Sequence, residues 1–431
     1  MAATRTVFET YSRRLFPPLP WTWTSFAELL EATDERGYVT NYVPLLGHHA
    51  VRIAVLGMSD RAPDAGELEM MRSFVREAVE AGVVGLSTGL IYPPGLFATT
   101  DEIVALVDAL PADSLYATHM RGEGPQVMRS IAEALEIGER TGRQVQISHL
   151  KTAGRAAWGA MPRAIELIDA ARERGLDVRH DVYPYTAGST MLTAILPPWF
   201  QEGGDREVLR RLETPSDVAR LREDLSAPSD TWENFVVGAG WDGIVVASSG
   251  SHTHDGLSIA EIASRRGDGP LSALIHVLRS ENLQASMVVH HMSEDDLIVA
   301  LRHPFTMVGS DGLPPGVGGK PHPRTYGTFP RILARFSREL GILQLAEAVR
   351  RMTSLPAATF GLADRGVIAP GMAADIVVFD PARIRDAATF EDSTASPEGI
   401  ASVVLNGQIV VADGDYVGPR SGRRLGRAHR S

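Results

Sequence analysis

Hydrophobic and polar positions along the chain fall into a repeating rhythm. Short apolar runs at Val83–Leu86, Ser114–His119, Val145–His149, Asp177–Tyr185 and Phe305–Val308 read as buried strands. Between and around them lie stretches with apolar residues at three- and four-residue spacing, Glu67–Ala81, Thr100–Leu110, Glu133–Thr141, Arg163–Arg174 and Ser293–Arg302, which read as amphipathic helices. Such alternation predicts parallel βαβ units. Upstream, Thr24–Ala32 predicts a helix capped by Ser25, and Tyr38–Leu46 predicts a strand ending at Gly47-His48-His49. Residues 1–24, with Pro17, Pro18, Pro20 and two Trp, predict an irregular loop.

The rhythm breaks after Tyr185. Residues from about 187 to 290 carry Pro197-Pro198, charged helical pieces and a Ser/Gly patch at 248–251, and they predict an insertion at the mouth of a barrel. Glu347–Phe360 predicts a closing helical stretch. Then the character changes: Gly366–Asp380 reads as turn plus strand, and Val403–Val411 as a hairpin through Asn406-Gly407. The expected architecture is α/β, a (βα)8 TIM-like barrel over residues 1–362 followed by part of a small β-sandwich domain over 363–431.

Charge narrows the partners. A net charge of -11 argues against nucleic acid, which needs clustered Lys and Arg. The basic tail, Arg420–Arg430, reads as a solvated end. No apolar run reaches membrane-spanning length, and Met1-Ala-Ala-Thr-Arg5 lacks the pattern of a signal peptide, so a cytoplasmic location and no membrane partner are expected. The absence of cysteine excludes disulfides and thiolate ligands. Oligomeric state is left open.

The chemistry gathers at strand ends. His119 and His149 close two predicted strands thirty residues apart, about one βα unit. A strand-end histidine is either a satisfied polar residue or a ligand. Two on neighbouring strands, with Asp311 at a third strand end, favour a metal-hydrolase site, and neutral imidazole suits Zn2+. Asp311 is suited both to ligate a metal and to take a proton from an activated water. Lys151, two residues past His149, and Arg324, in the loop after Asp311, suit a substrate bearing a carboxylate, though spacing alone fits surface charge equally well. Tyr92, Tyr183, Tyr185 and Ser189 either line the pocket or pack. Arg121 and Glu123 form a local ion pair or support the site. His252-Thr-His254 has chelating spacing but follows the Ser/Gly patch, and reads as a solvent loop outside the site. His48, His49, His180, His290, His291 and His322 are assigned to support, packing or surface.

These residues sit in longer recognisable motifs. Gly85-Leu-Ser-Thr-Gly-Leu-Ile-Tyr-Pro-Pro94, Tyr116-Ala-Thr-His-Met-Arg121, Ile147-Ser-His-Leu-Lys151, Asp181-Val-Tyr-Pro-Tyr-Thr-Ala-Gly-Ser-Thr190, Gly309-Ser-Asp-Gly-Leu-Pro314 and Pro321-His-Pro-Arg324 together resemble the N-acyl-D-amino-acid deacylases, or D-aminoacylases, of the metal-dependent amidohydrolase superfamily. Pro370–Asp380 looks like that superfamily's return to its β domain. The resemblance implies a zinc-dependent amidohydrolase barrel with a small β-sandwich, cleaving the amide of a small-molecule N-acylated D-amino acid. It implies metal histidines at His119 and His149, a catalytic carboxylate at Asp311, and substrate binding by Lys151, Tyr183 and Arg324, with Tyr92 and Ser189 as further lining. The family's pattern opens with β-domain strands, a barrel strand carrying His-x-His and a cysteine ligand, none of which is in this sequence. The expectation is therefore a barrel lacking its first two strands, with weak zinc binding and impaired activity. The rival readings are a cyclic-amide amidohydrolase of the hydantoinase or dihydroorotase kind, and a non-catalytic barrel remnant.

Overall fold

The computed structural model describes residues 2–16, 18–313 and 318–427. Pro17, Pro314 and residues 428–431 of the basic tail lie outside the described residues. The central sheet has six parallel strands: β1 (Leu46–Gly47), β2 (Gly85–Gly89), β3 (Leu115–His119), β4 (Gln144–Ile147), β5 (Val178–Val182) and, after an excursion, β9 (Thr306–Val308). They run in the order β1-β2-β3-β4-β5-β9, so β1 and β9 are its two edges and, among the described residues, the sheet does not close on itself. Among the described residues, six of the eight strands of the expected barrel are thus present. Parallel pairing places every strand's C-terminal end on one side, which is where βα loops gather functional groups.

The helices predicted between the strands form where expected, at Ala65–Glu80, Thr100–Asp108, Val127–Thr141, Met161–Glu173 and Glu294–Arg302. Their apolar faces (Met71 and Val75, Ile103 and Leu106, Ile131 and Leu135, Ala164 and Ile168) are buried against Leu86, Tyr116, Val145 and Val178 of the sheet. Ser25 caps the helix Phe26–Arg36 and exchanges a reciprocal pair of hydrogen bonds with Glu28. The excursion, Ala187 to His290, builds a separate antiparallel sheet from β6 (Ala187–Met191), β7 (Ile244–Ser248) and β8 (Ser286–His290) in the order β6-β8-β7. It has its own core, including Leu192, Phe200, Ile244, Leu274 and Met287. The C-terminal sheet is antiparallel, β10 (Ile376–Phe379), β11 (Ile400–Leu405), β12 (Gln408–Ala412) and β13 (Asp415–Tyr416). Asn406 and Gly407, both at positive φ, make the tight turn of the predicted hairpin. No helix among the described residues is long and apolar enough to cross a membrane.

Two predicted elements differ. Residues 2–12 form a helix rather than a loop, because Phe8 packs edge-on against Trp21 and Tyr11 and Leu15 join the core of the excursion. The strand predicted over Tyr38–Leu46 shrinks to β1, and His48–Leu56 is helical, with Val51, Ile53 and Leu56 buried. That helix carries a buried ionic triad. His48 Nε2 lies 2.9 Å from Glu102 Oε1, Arg52 pairs with the other carboxylate oxygen, and Arg52 Nη2 donates to the carbonyl of Arg61 at 2.8 Å. Burial raises the Glu102 carboxyl, but His48 and Arg52 outweigh it and hold it below its ordinary value. With the folded value depressed, its stabilisation is full above the unfolded carboxylate range, about 4.3, and is lost as pH falls through the folded value. Glu102→Ala would strand Arg52, which is fully buried. Denaturant unfolding at neutral pH is expected to show a loss of about 3–5 kcal/mol.

Candidate metal centre and active site

Two neighbouring parallel strands deliver the central cluster. His119 is the last residue of β3, and His149 stands just beyond β4 with φ of 41°. Non-glycine residues seldom hold a left-handed backbone, and here it is held by neighbours: the His149 amide donates to Asp181 Oδ1 at 2.9 Å, and Gln146 Nε2 steadies the other oxygen at 2.7 Å. The two rings meet with His119 Nδ1 2.9 Å from His149 Nε2. Lys151 Nζ donates to His149 Nδ1 at 2.7 Å, so that nitrogen is an acceptor and Nε2–H points to His119. His119 Nε2 then faces Glu123 Oε2 at 3.7 Å and, though buried, has no hydrogen-bond partner in the protein. Glu123 also lies 3.1 Å from His149 Nδ1 and accepts from Lys151 at 2.6 Å.

Burial sets the charges. It drives the His119 imidazole down to about 3, with His149 and Lys151 adding to the effect, so this ring is neutral at physiological pH. Burial alone would raise the Glu123 carboxyl, but His119, Lys151 and His149 hold it well below its ordinary value. Burial works against the Lys151 ammonium, yet Glu123 and Tyr183 keep it raised and charged. Glu233, whose carboxylate accepts from the Glu123 and Gly124 amides at 2.6 and 3.2 Å, is pushed to about 7 by burial and by the Glu123 charge.

Asp311 follows β9, also at positive φ (47°). Its carboxylate pairs with Arg324 Nη1 at 2.8 Å, because Arg324 is a buried guanidinium whose charge needs an opposite partner. Burial raises the Asp311 carboxyl, while Arg324, His149, Lys151 and His119 together bring it below its ordinary value. Arg324 opens the helix Arg324–Arg331, donates to the Ser189 carbonyl at 3.1 Å and stacks over Tyr183 with its guanidinium carbon 4.7 Å from the ring centre. Lys151 Nζ lies over the same ring at 5.6 Å. Tyr92 packs beside His119, ring centres 5.0 Å apart. The predicted residues therefore share one end of the sheet. The ligand-distance group is narrower: His119, Glu123 and His149 offer atoms within 4.8 Å of one another, and Asp311, engaged with Arg324, stands outside it.

Glu123 is the member the sequence left undecided between ion pair and support. Its partner is Lys151, while Arg121 turns away to Glu133 at 2.8 Å. His252 and His254 lie on the excursion: His252 pairs with Asp255 at 2.7 Å, half exposed, and His254 meets His276 edge-on. His322 is packing with a purpose: its Nδ1 accepts from the Arg324 amide at 3.0 Å, and its Nε2 lies 2.9 Å from the Ala187 carbonyl. His180 on β5 bonds its cross-strand neighbour Thr306 on β9, and Tyr185 lies under Arg331 rather than in the cluster.

The donor set fits a divalent metal. Two imidazoles and one carboxylate converge, one buried ring nitrogen has no protein partner, and the ring that carries it is neutral, the ligating form.

Together, an α/β parallel sheet with such a cluster at its strand ends defines an amidohydrolase-type site, and sequence and structural comparisons agree. The model of the Amidohydrolase family matches residues 230–411. The D-aminoacylase of Alcaligenes xylosoxydans xylosoxydans is 36% identical over 403 residues, 93% of this chain and 73% of the relative. The N-acyl-D-glutamate deacylase of the same organism is 35% identical over 377 residues, covering 87% and 68%. The crystal structure of N-acyl-D-glutamate deacylase from Bordetella bronchiseptica, complexed with zinc and a phosphonate mimic of the tetrahedral intermediate, superposes with a TM-score of 0.78 at 34% identity, covering 96% of this chain and 76% of that one. The chain belongs to the D-aminoacylase family of amidohydrolases.

Proposed function

We propose that this chain is a zinc-dependent hydrolase that cleaves the amide of an N-acyl-D-amino acid to a carboxylate and a free D-amino acid. The observation that carries the reading is the convergence of His119, His149 and Glu123 beside two cations, Lys151 and Arg324, that flank one tyrosine ring. His119 and His149 would hold the zinc, with Glu123 as the third donor. When bound, zinc supplies the Lewis acidity that activates water and polarises the acyl carbonyl. Arg324 and Lys151 hold the substrate's α-carboxylate, and Tyr183 fixes the spacing between them. Asp311, kept ionised by its cationic neighbours, takes the proton of the attacking water and gives it to the departing amine nitrogen. Tyr92 and Ser189 line the substrate side. The cyclic-amide and non-catalytic alternatives are not favoured, since the relatives at 34–36% identity are deacylases of N-acyl-D-amino acids.

The test is amine release from N-acetyl-D- and N-acetyl-L-amino acids by the zinc-supplemented chain. D-selective release that stops on chelation is expected. Preference for the L-enantiomer, or faster opening of a hydantoin, would overturn the reading.

A further inference from the structure

Beside the cluster, and sharing Arg324 with it, lies a cavity of about 350 Å³. It falls within the size of small-molecule sites, roughly 300–1,000 Å³. Its walls come from three parts of the chain: the turn after the first helix (Arg13, Arg14), the sheet of the excursion (Ser189, Ser248) and the segment leading into the Arg324 helix. Two of these residues, each more than nine-tenths buried, carry polar atoms with no hydrogen-bond partner in the protein: Arg14 Nε and Ser248 Oγ. Both can donate. Buried donors are nearly always paired, so two of them on one cavity call for a ligand rich in acceptors. No carboxylate lines the cavity among the described residues. Arg14 is already paired with Asp205 and Arg324 with Asp311. Arg13, exposed at the rim, has no ion pair among the described residues, and its positive charge remains to be matched.

We propose that this cavity receives the side chain of the D-amino acid and selects one that ends in a carboxylate. The inference rests on the hydrolase reading above and deepens it: Arg324 marks the boundary between the α-carboxylate and the side chain, Arg14 and Ser248 donate to the terminal carboxylate, and Arg13 supplies the matching charge. A neutral aliphatic side chain would leave the same donors unfilled, which is the stronger source of discrimination.

Calorimetry on the full chain, without and with zinc, tests this using N-acetyl-D-glutamate, N-acetyl-D-leucine and N-acetyl-L-glutamate. The D-glutamate compound is expected to bind at least about 10-fold tighter than the D-leucine compound, as a charge-assisted hydrogen bond implies. Arg13→Ala, at an exposed position, and Ser248→Ala are each expected to shrink that ratio several-fold. Equal or tighter binding of the D-leucine compound, or a ratio unmoved by both substitutions, overturns the inference and leaves the hydrolase reading intact. Tighter binding of the L-glutamate compound, with the acidic preference kept, overturns the D-selective reading alone. Failure of every N-acyl-D-amino acid to bind overturns both.

Discussion

Asp311→Asn is expected to lower kcat by about 10²–10⁴, the usual contribution of a positioned proton-transfer group. The substitution keeps the size of the side chain and removes only its charge and basicity. The carboxylate it replaces sits just past β9 on a left-handed backbone that the surrounding loop must hold in place. Its carboxylate pairs with the Arg324 guanidinium at 2.8 Å and is held below its ordinary value, so at neutral pH it is ionised and ready to accept a proton. An amide there cannot. Because Asp311 stands outside the group of converging ligand atoms, zinc content is expected to fall far less than turnover. Steady-state kinetics with zinc analysis of the same preparation separates the two. A variant with wild-type kcat would remove Asp311 from the reaction, and a variant equally stripped of zinc would make it a ligand first.

His149→Ala carries the second large effect. The ring bridges His119 on one side and Lys151 on the other, within reach of Glu123. Its removal takes away a ligand and leaves the Lys151 ammonium facing the space where a cation should sit. Loss of a supporting group around a metal costs about 10–100-fold in affinity, and loss of a ligand at least the upper figure. Chelator competition should therefore show zinc affinity reduced by about 100-fold or more, with the circular dichroism of the fold retained. His252→Ala is the matched control, since that ring pairs with Asp255 on the excursion and should leave zinc binding unchanged. Equal losses in the two variants would mean that the wrong histidines have been assigned.

The strand ends were the most legible part of the site. Apolar runs that stop at His119, His149 and Asp311 announce both the strand and the group it delivers, and parallel pairing then puts them on one side. Glu123 could not be ranked from sequence. It lies in a loop without periodicity, and its partner Lys151 comes from the next βα unit, so only the fold reveals the pair. The helix of residues 2–12 was masked by the proline cluster that follows it, although its packing partners Trp21 and the excursion core are what stabilise it. β6 was hidden for a different reason. Ala187-Gly-Ser-Thr-Met191 has little β propensity, and it becomes a strand only by pairing with β8 along its whole length. The sequence around Arg324 reads as a loop; the residue is instead the first of a helix, fixed by its stacking on Tyr183 and its pairing with Asp311.

The central claim is that one cluster at the ends of β3 and β4 holds the metal. A crystal grown with zinc, measured on both sides of the zinc absorption edge, tests it directly. The account predicts an anomalous peak between His119 and His149, within about 2.0–2.2 Å of nitrogen or carboxylate ligands, and Glu123 turned toward it. A peak at His252 and His254 instead, or none with both rings still hydrogen-bonded to each other, would contradict it.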